Sequence, residues 1–184
     1  MNAVVLVRCR NCGADRRIPA GGVAANDYPM CLRCGVPMVV VQADVVPMKA
    51  LSLRQPWAWA VISRGKRIDN RTWNTFFRGP LLIHAAKQCE EIEFKRALHW
   101  MHMRGVARVD DCPPLAELPR GGIVGRGRMV HVISPKCPLD AYPRGVDLRW
   151  HMHEQYGFVF EDVEPLPFRA YRGMPGLFWV EDAA

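Results

Sequence analysis

Four cysteines in two matching pairs carry the most legible chemistry of this 184-residue chain. Cys9-Arg10-Asn11-Cys12-Gly13 and Cys31-Leu32-Arg33-Cys34-Gly35 are two CxxCG knuckles, with 18 residues between Cys12 and Cys31. A CxxC loop turns back on itself so that two thiolates face one ion, and the glycine after it accepts the tight backbone turn. Two such loops supply a tetrahedral cage of four sulfurs, for which zinc is the expected ion and iron in a rubredoxin-like site the other reading. Four protein ligands leave no open position, so the metal is expected to be structural. Its task would be to fold a segment of ~45 residues that has little core of its own. Arg8, Arg10, Arg16, Arg17 and Arg33 surround the knuckles. They read equally as solvated charge and as nucleic-acid contacts, and the ribbon also offers a surface for a protein partner.

A second constellation lies between Ala50 and Lys87. Arg54, Arg64, Lys66, Arg67, Arg71, Arg78 and Lys87 face a single acid, Asp69, within a chain whose formal net charge is +7. Trp57, Trp59 and Trp73 are interleaved with these cations. Cations among planar aromatics suit a phosphate backbone with unstacked bases, so a polyanionic partner is expected. Along an extended strand Asp69 and Arg71 share a face, with Lys66 at its entrance. An acid can accept the exocyclic amine of a base while Lys and Arg hold phosphate or a carbonyl oxygen. The plain structural alternative is an Asp–Arg ion pair at a sheet edge. The expected cleft is lined by Arg54, Gln55, Trp57, Lys66, Asp69 and Arg71, with Arg78 and His84 nearby. Lys66 and Asp69 are the candidates for activating a water, although spacing alone yields no nucleophile–base–orienter set.

The elements that must position these groups follow from periodicity. Leu51 to Arg54 alternates as a strand, and Pro56 opens a short helix over about 56–64 that Gly65 ends. Lys66 to Trp73 is a strand, Arg78-Gly79-Pro80 a turn, and Leu81 to Ala85 a buried strand. A longer helix is expected over about 88–104, with Phe94, Ala97, Leu98 and Met101 as its buried stripe and Glu90, Glu91 and Arg104 placed to suit its dipole. Gly121 to Ile133 reads as a strand bent at Gly125 or Gly127. Tyr156 to Val163 and Gly176 to Glu181 are the last strands, with Pro165, Pro167, Gly173, Pro175 and Gly176 marking turns between them. In the first segment, Val4 to Arg8, Arg16 to Pro19 and Met38 to Val41 are strands beside the knuckles, 20–29 is a small-residue loop, and Gln42 to Met48 is a linker. His151-x-His153 is a weaker candidate for a second metal site. Cys89, Cys112 and Cys137 read as plain thiols.

Ala50 to Lys87 resembles the ASCH domain. The likeness rests on LSLRQPWAWAV, then GKRIDNRTW, then RGPLLIHAAK. The family signature is a Lys, an acid three residues on and an Arg two beyond, which Lys66, Asp69 and Arg71 match. The acid is usually Glu, and Gly65 abuts Lys66 directly where many members have an intervening residue. The resemblance implies a PUA-like β-barrel. The whole chain is therefore expected to be α+β and mainly β: a small barrel with two helices over 49–182, preceded by a zinc ribbon over 1–45. It also implies a nucleic-acid or nucleotide ligand, RNA or a modified nucleotide foremost. Some small members remove acyl groups from N4-acylcytidine with a Lys, a hydroxyl residue and a distant acid, and others are reported as ribonucleases. Here Asp69 stands where the deacylating members carry the hydroxyl. A hydrolase of that kind and a zinc-containing, coactivator-like adaptor remain as alternatives.

A hydrophobic content of 49% and a charged content of 23% describe a globular chain, and no apolar run approaches the ~20 residues of a membrane span. The opening residues lack the basic front and long apolar core of a signal peptide, so a reducing, cytoplasmic setting is expected for the seven cysteines.

Overall fold

A computed structural model describes residues 4–19, 29–43, 47–137 and 142–180. The expected small-residue loop therefore lies almost wholly outside the described residues, as does the middle of the expected linker. Contacts gather the chain into one unit built on Met1–Met48 and a second spanning Lys49–Trp179.

The first unit is a three-stranded antiparallel sheet of β1 (Val4–Cys9), β2 (Asp15–Pro19) and β3 (Met38–Ala43), in the order β2-β1-β3. Val5, Val7, Cys9, Ile18, Cys31 and Met38 form its small core. Two of those six are cysteines, which is too little apolar surface to stabilise a sheet by burial alone.

The second unit holds β4 (Met48–Leu53), α1 (Trp57–Ser63), β5 (Ile68–Arg71), β6 (Gly79–Ala85), α2 (Glu91–Met103), β7 (Gly122–Ile133), β8 (Tyr156–Ala170) and β9 (Leu177–Val180). Its six strands run in the order β5-β8-β7-β6-β4-β9. β4 and β6 are parallel, because α1 and β5 carry the chain across between them, whereas β6-β7, β7-β8 and β5-β8 are antiparallel. This is a mainly-β, α+β domain. Leu51, Leu53, Leu81, Ile83, Met129, Phe158 and Phe160 fill the core that these strands share with α1. On α2 the buried residues are Phe94, Ala97, Leu98 and Met101, one stripe at helical spacing. Phe94, Leu98 and Met101 close a second cluster with Ile68, Ile133, Trp150 and Val159. Glu91 and Glu93 occupy the first turn of α2, and Gly105 follows its end at φ 62°.

One sequence expectation needs correction. Pro165 and Pro167 mark no turn: β8 continues through both to Ala170. β5 pairs with β8 only from Tyr156 to Val159, so beyond that point β8 has β7 on one side alone. A proline's missing N–H is tolerated on such an unpaired edge. The β7–β8 register slips three times, including at Ile123/Gly125 and Arg126/Arg128, which is where the bend at Gly125 or Gly127 was expected. A Cβ on Gly125 would lie 2.3 Å from Ile62 Cδ1, so that glycine lets α1 approach the strand.

Candidate functional site

Two clusters of ionisable groups stand out, one in each unit. In the first, Cys9 ends β1 and Cys12 follows on its turn, while Cys31 and Cys34 sit on a second turn of the same shape. Gly13 N donates to Cys9 O at 2.9 Å and Gly35 N to Cys31 O at 2.8 Å, with φ of 70° and 68° at the two glycines. Those positive φ values are why each knuckle ends in glycine. The four Sγ atoms lie within 4.8 Å of one another, with Cys9–Cys34 at 3.4 Å, Cys12–Cys31 at 3.6 Å and Cys12–Cys34 at 3.7 Å. Tetrahedral metal–sulfur bonds of ~2.3 Å require sulfurs ~3.8 Å apart, so the set fits one small ion.

The thiols are shifted in different directions by their surroundings. Backbone N–H of Val36 and the Asn11 side chain pull the Cys34 thiol down to about 6. Backbone N–H groups of Arg33 and Cys34 lower Cys31 against the opposing effect of burial. The Ala14 N–H also favours the Cys12 thiolate, but burial and the three neighbouring sulfurs outweigh it and push Cys12 up to about 11. Four sulfurs this close share protons unless a cation joins them.

The second cluster is built on β4, α1 and β5. Asp69 is buried between two cations: Lys66 Nζ donates to Oδ1 at 3.2 Å, and Arg71 Nε donates to Oδ2 at 2.7 Å. Lys66 Nζ also donates to the Ile68 carbonyl and lies 5.5 Å above the Trp57 ring. Arg71 Nη2 reaches across to the Ser52 carbonyl on β4 at 2.6 Å. Burial drives Lys66 toward its neutral form, and the nearby Asp69 opposes that without fully cancelling it. Burial alone would raise Asp69, but Arg71 and Lys66 together hold its carboxyl below the usual carboxylate range.

Above this triad opens a cavity of about 460 Å³, whose walls include Ser52, Arg54, Trp57, Asn70, Met152 and Gln155. The fold thus brings together five of the eight residues expected to line the cleft, namely Arg54, Trp57, Lys66, Asp69 and Arg71. Their roles differ from expectation. Lys66 is 1% exposed and already bonded, so it is no free hand for phosphate. Arg54 is held by Glu93 of α2 at 2.6 Å. Trp57 packs edge-on against Trp100, with centroids 5.5 Å apart. Gln55 turns inward instead: Nε2 donates to Pro119 O at 2.9 Å, and Oε1 accepts from Trp59 N at 3.0 Å. Arg78 lies away from the cavity and donates to the carbonyls of Thr75 and Phe77.

His84 faces a neighbouring cavity of about 800 Å³. It pairs with Ser52 across the parallel β4–β6 ladder, with Nδ1 2.9 Å from Ser52 Oγ and Nε2 3.0 Å from Tyr171 O. A carbonyl can only accept, so Nε2 carries the proton and Nδ1 accepts from the Ser52 hydroxyl. Burial lowers His84, against the pull of the Tyr171 carbonyl, and favours that neutral form. Sequence reasoning missed Asn70, Met152 and Gln155, which reach the first cavity from β5 and from the chain just before β8. No local signal marks them. The Asn70 amide spans to Trp150 O and Met152 N, at 2.9 and 2.8 Å. His151 is not a ligand candidate: its ring nitrogens face Tyr142 Oη at 3.1 Å and Gln155 O at 3.0 Å.

Two comparisons bear on this geometry. The family model described as the ASCH domain matches residues 51–167, which include the triad and every wall residue of the first cavity. No curated protein matches the chain. ASCH domains are PUA-like and generally bind RNA, which supports nucleic-acid binding at a coarse level. No helix among the described residues is long and apolar enough to cross a membrane.

Proposed function

The chain belongs to the ASCH domain family, and from that premise we propose that it binds RNA or a modified nucleotide, with one base held in the cavity over Lys66, Asp69 and Arg71. The observation that carries this reading is the neutralisation of buried Asp69 on two sides, by buried Lys66 and by half-buried Arg71. A carboxylate so fixed stays ionised, cannot swing toward solvent and keeps lone pairs for the exocyclic amine of a base. Trp57 forms an apolar wall beside it, and about 460 Å³ suits a nucleoside. The domain limits we adopt are 1–45 for the ribbon and 49–182 for the ASCH domain. In the ribbon we assign zinc to Cys9, Cys12, Cys31 and Cys34, in a structural role. The hydrolase alternative has less support, because Asp69 is the sole acid lining the cavity among the described residues, so no second carboxylate stands beside it for acid–base work.

Fluorescence anisotropy with single-stranded RNA homopolymers tests the base pocket. Asp69→Asn is expected to change which base is preferred, because the carboxamide presents a donor where the acid presented an acceptor. Equal affinity for every homopolymer, in parent and variant alike, would count against a base-reading role.

A further inference from the structure

The cations of the first cavity and those of the second differ in one respect. In the first, Arg54, Lys66 and Arg71 are each held by an acid. The second cavity shares the Ser52, Arg54 and Ala86 wall with the first and adds Lys87 and Arg172. No acid lines it among the described residues. Neither Lys87 nor Arg172 has an ion pair or side-chain hydrogen bond among the described residues. Uncommitted cations bind phosphate without first giving up a partner, and two in an acid-free hollow concentrate positive potential there.

Arg172 is also set in place rather than left on a loose loop. It sits on the segment 171–175, which follows β8. The Tyr171 carbonyl accepts from the buried His84 ring, and Tyr171 N donates to Gly121 O at 3.1 Å. Gly173 lies directly on the same ring: a Cβ there would come 2.4 Å from His84 Cε1 and 2.9 Å from Ser52 Oγ. His84 therefore positions the backbone that carries Arg172. From Lys87 the basic lining extends to Arg120, which lines a further hollow together with Lys87, Arg54, Glu90 and Glu93.

We propose that the second cavity, through Lys87 and Arg172, is a phosphate subsite for the single strand whose base occupies the first cavity. This rests on the base pocket proposed above. The volume of about 800 Å³, with two uncommitted cations and no acid among its described lining residues, suits successive phosphodiesters better than the phosphates of one nucleotide.

Three probes separate the possibilities: a nucleoside 5′-monophosphate, the matching triphosphate, and a single-stranded RNA of roughly ten nucleotides, within the span that single-strand sites cover. The expected parent binds the strand at least ~10-fold more tightly than the monophosphate. Lys87→Ala with Arg172→Ala should remove most of that gain, leave monophosphate binding unchanged, and flatten the salt slope by roughly 1.4, at ~0.7 per phosphate contact on a single strand. Both side chains are exposed, so the doubly substituted protein should unfold at the parent's temperature. If it keeps the parent's strand affinity and salt slope, the subsite is refuted while the base pocket stands. If it loses only triphosphate binding, a mononucleotide and not a strand uses the subsite, and the proposal is likewise overturned. If the parent binds none of the probes, the base pocket itself fails and takes the subsite with it.

Discussion

Four thiols in the first unit and three charged side chains in the second both gather ionisable groups within reach of one another, and they differ in where the counter-charge comes from. Cys9, Cys12, Cys31 and Cys34 have one another and a few backbone N–H groups as neighbours, with no cation bonded to any sulfur among the described residues. Their full ionisation requires an ion from outside the chain. Lys66, Asp69 and Arg71 carry their own counter-charges, and the fold closes over them without help. A cluster that must import its charge makes folding depend on a ligand. A cluster that is complete in itself leaves the ligand to choose affinity and not fold.

The largest expected effect tests the imported charge. Cys12→Ser, or a strong chelator, should unfold the first unit while β4 to β9 stay folded. Structural zinc at pH 7 is worth ~10–16 kcal/mol in small peptides, far more than a sheet of this size gains from its own core. Limited proteolysis followed by mass spectrometry reads the outcome. Continued protection of 4–43 after chelation would show that the sheet holds without metal.

Next in size is the self-contained cluster. Asp69→Ala strands a buried Lys66 and should cost ~3–5 kcal/mol in urea denaturation, the usual consequence of removing one partner from a buried ion pair. Adding Lys66→Met should recover part of that loss, because the orphaned charge goes too. A cost for Asp69→Ala under ~1 kcal/mol would mean that water reaches the pair.

Acidification should have a smaller effect, with a definite sign. Burial lowers both His84 and His151 in the folded state, so the unfolded chain binds more protons below an unfolded histidine pKa of about 6.5. Stability should therefore fall as pH drops from 7 through 6. Asp69, whose folded pKa is also lowered, adds a further loss below about pH 4. Thermal melts from about pH 2 to 7 check this, and a flat profile from about 7 to 5 would show that neither histidine is desolvated. The smallest effect belongs to an exposed pair. Arg54→Ala, which removes the contact with Glu93, should cost under ~1 kcal/mol of stability by the same denaturation, and a larger loss would show Arg54 to be part of the packing.

Much of this was legible because it is local. A CxxCG turn is set by five consecutive residues, so its spacing reveals two ligands before any fold is known. The stripe of Phe94, Ala97, Leu98 and Met101 follows from the helical period alone, and Asp69 with Arg71 from the two-residue period of a strand. Tertiary structure decided what each charge faces. Counted along the chain, the stretch from Ala50 to Lys87 is strongly basic, yet Arg54 meets Glu93 and Arg64 meets Asp111, acids supplied from outside that window. Only the folded chain separates such satisfied cations from Lys87 and Arg172. It alone lays Gly173 on the ring of His84, a contact across 89 positions of sequence. Spacing fixes partners within a turn or a strand, because covalent geometry brings them together. Partners on different strands meet only when burial of the shared core sets the register between them, and the uncommitted charges are what that packing leaves over.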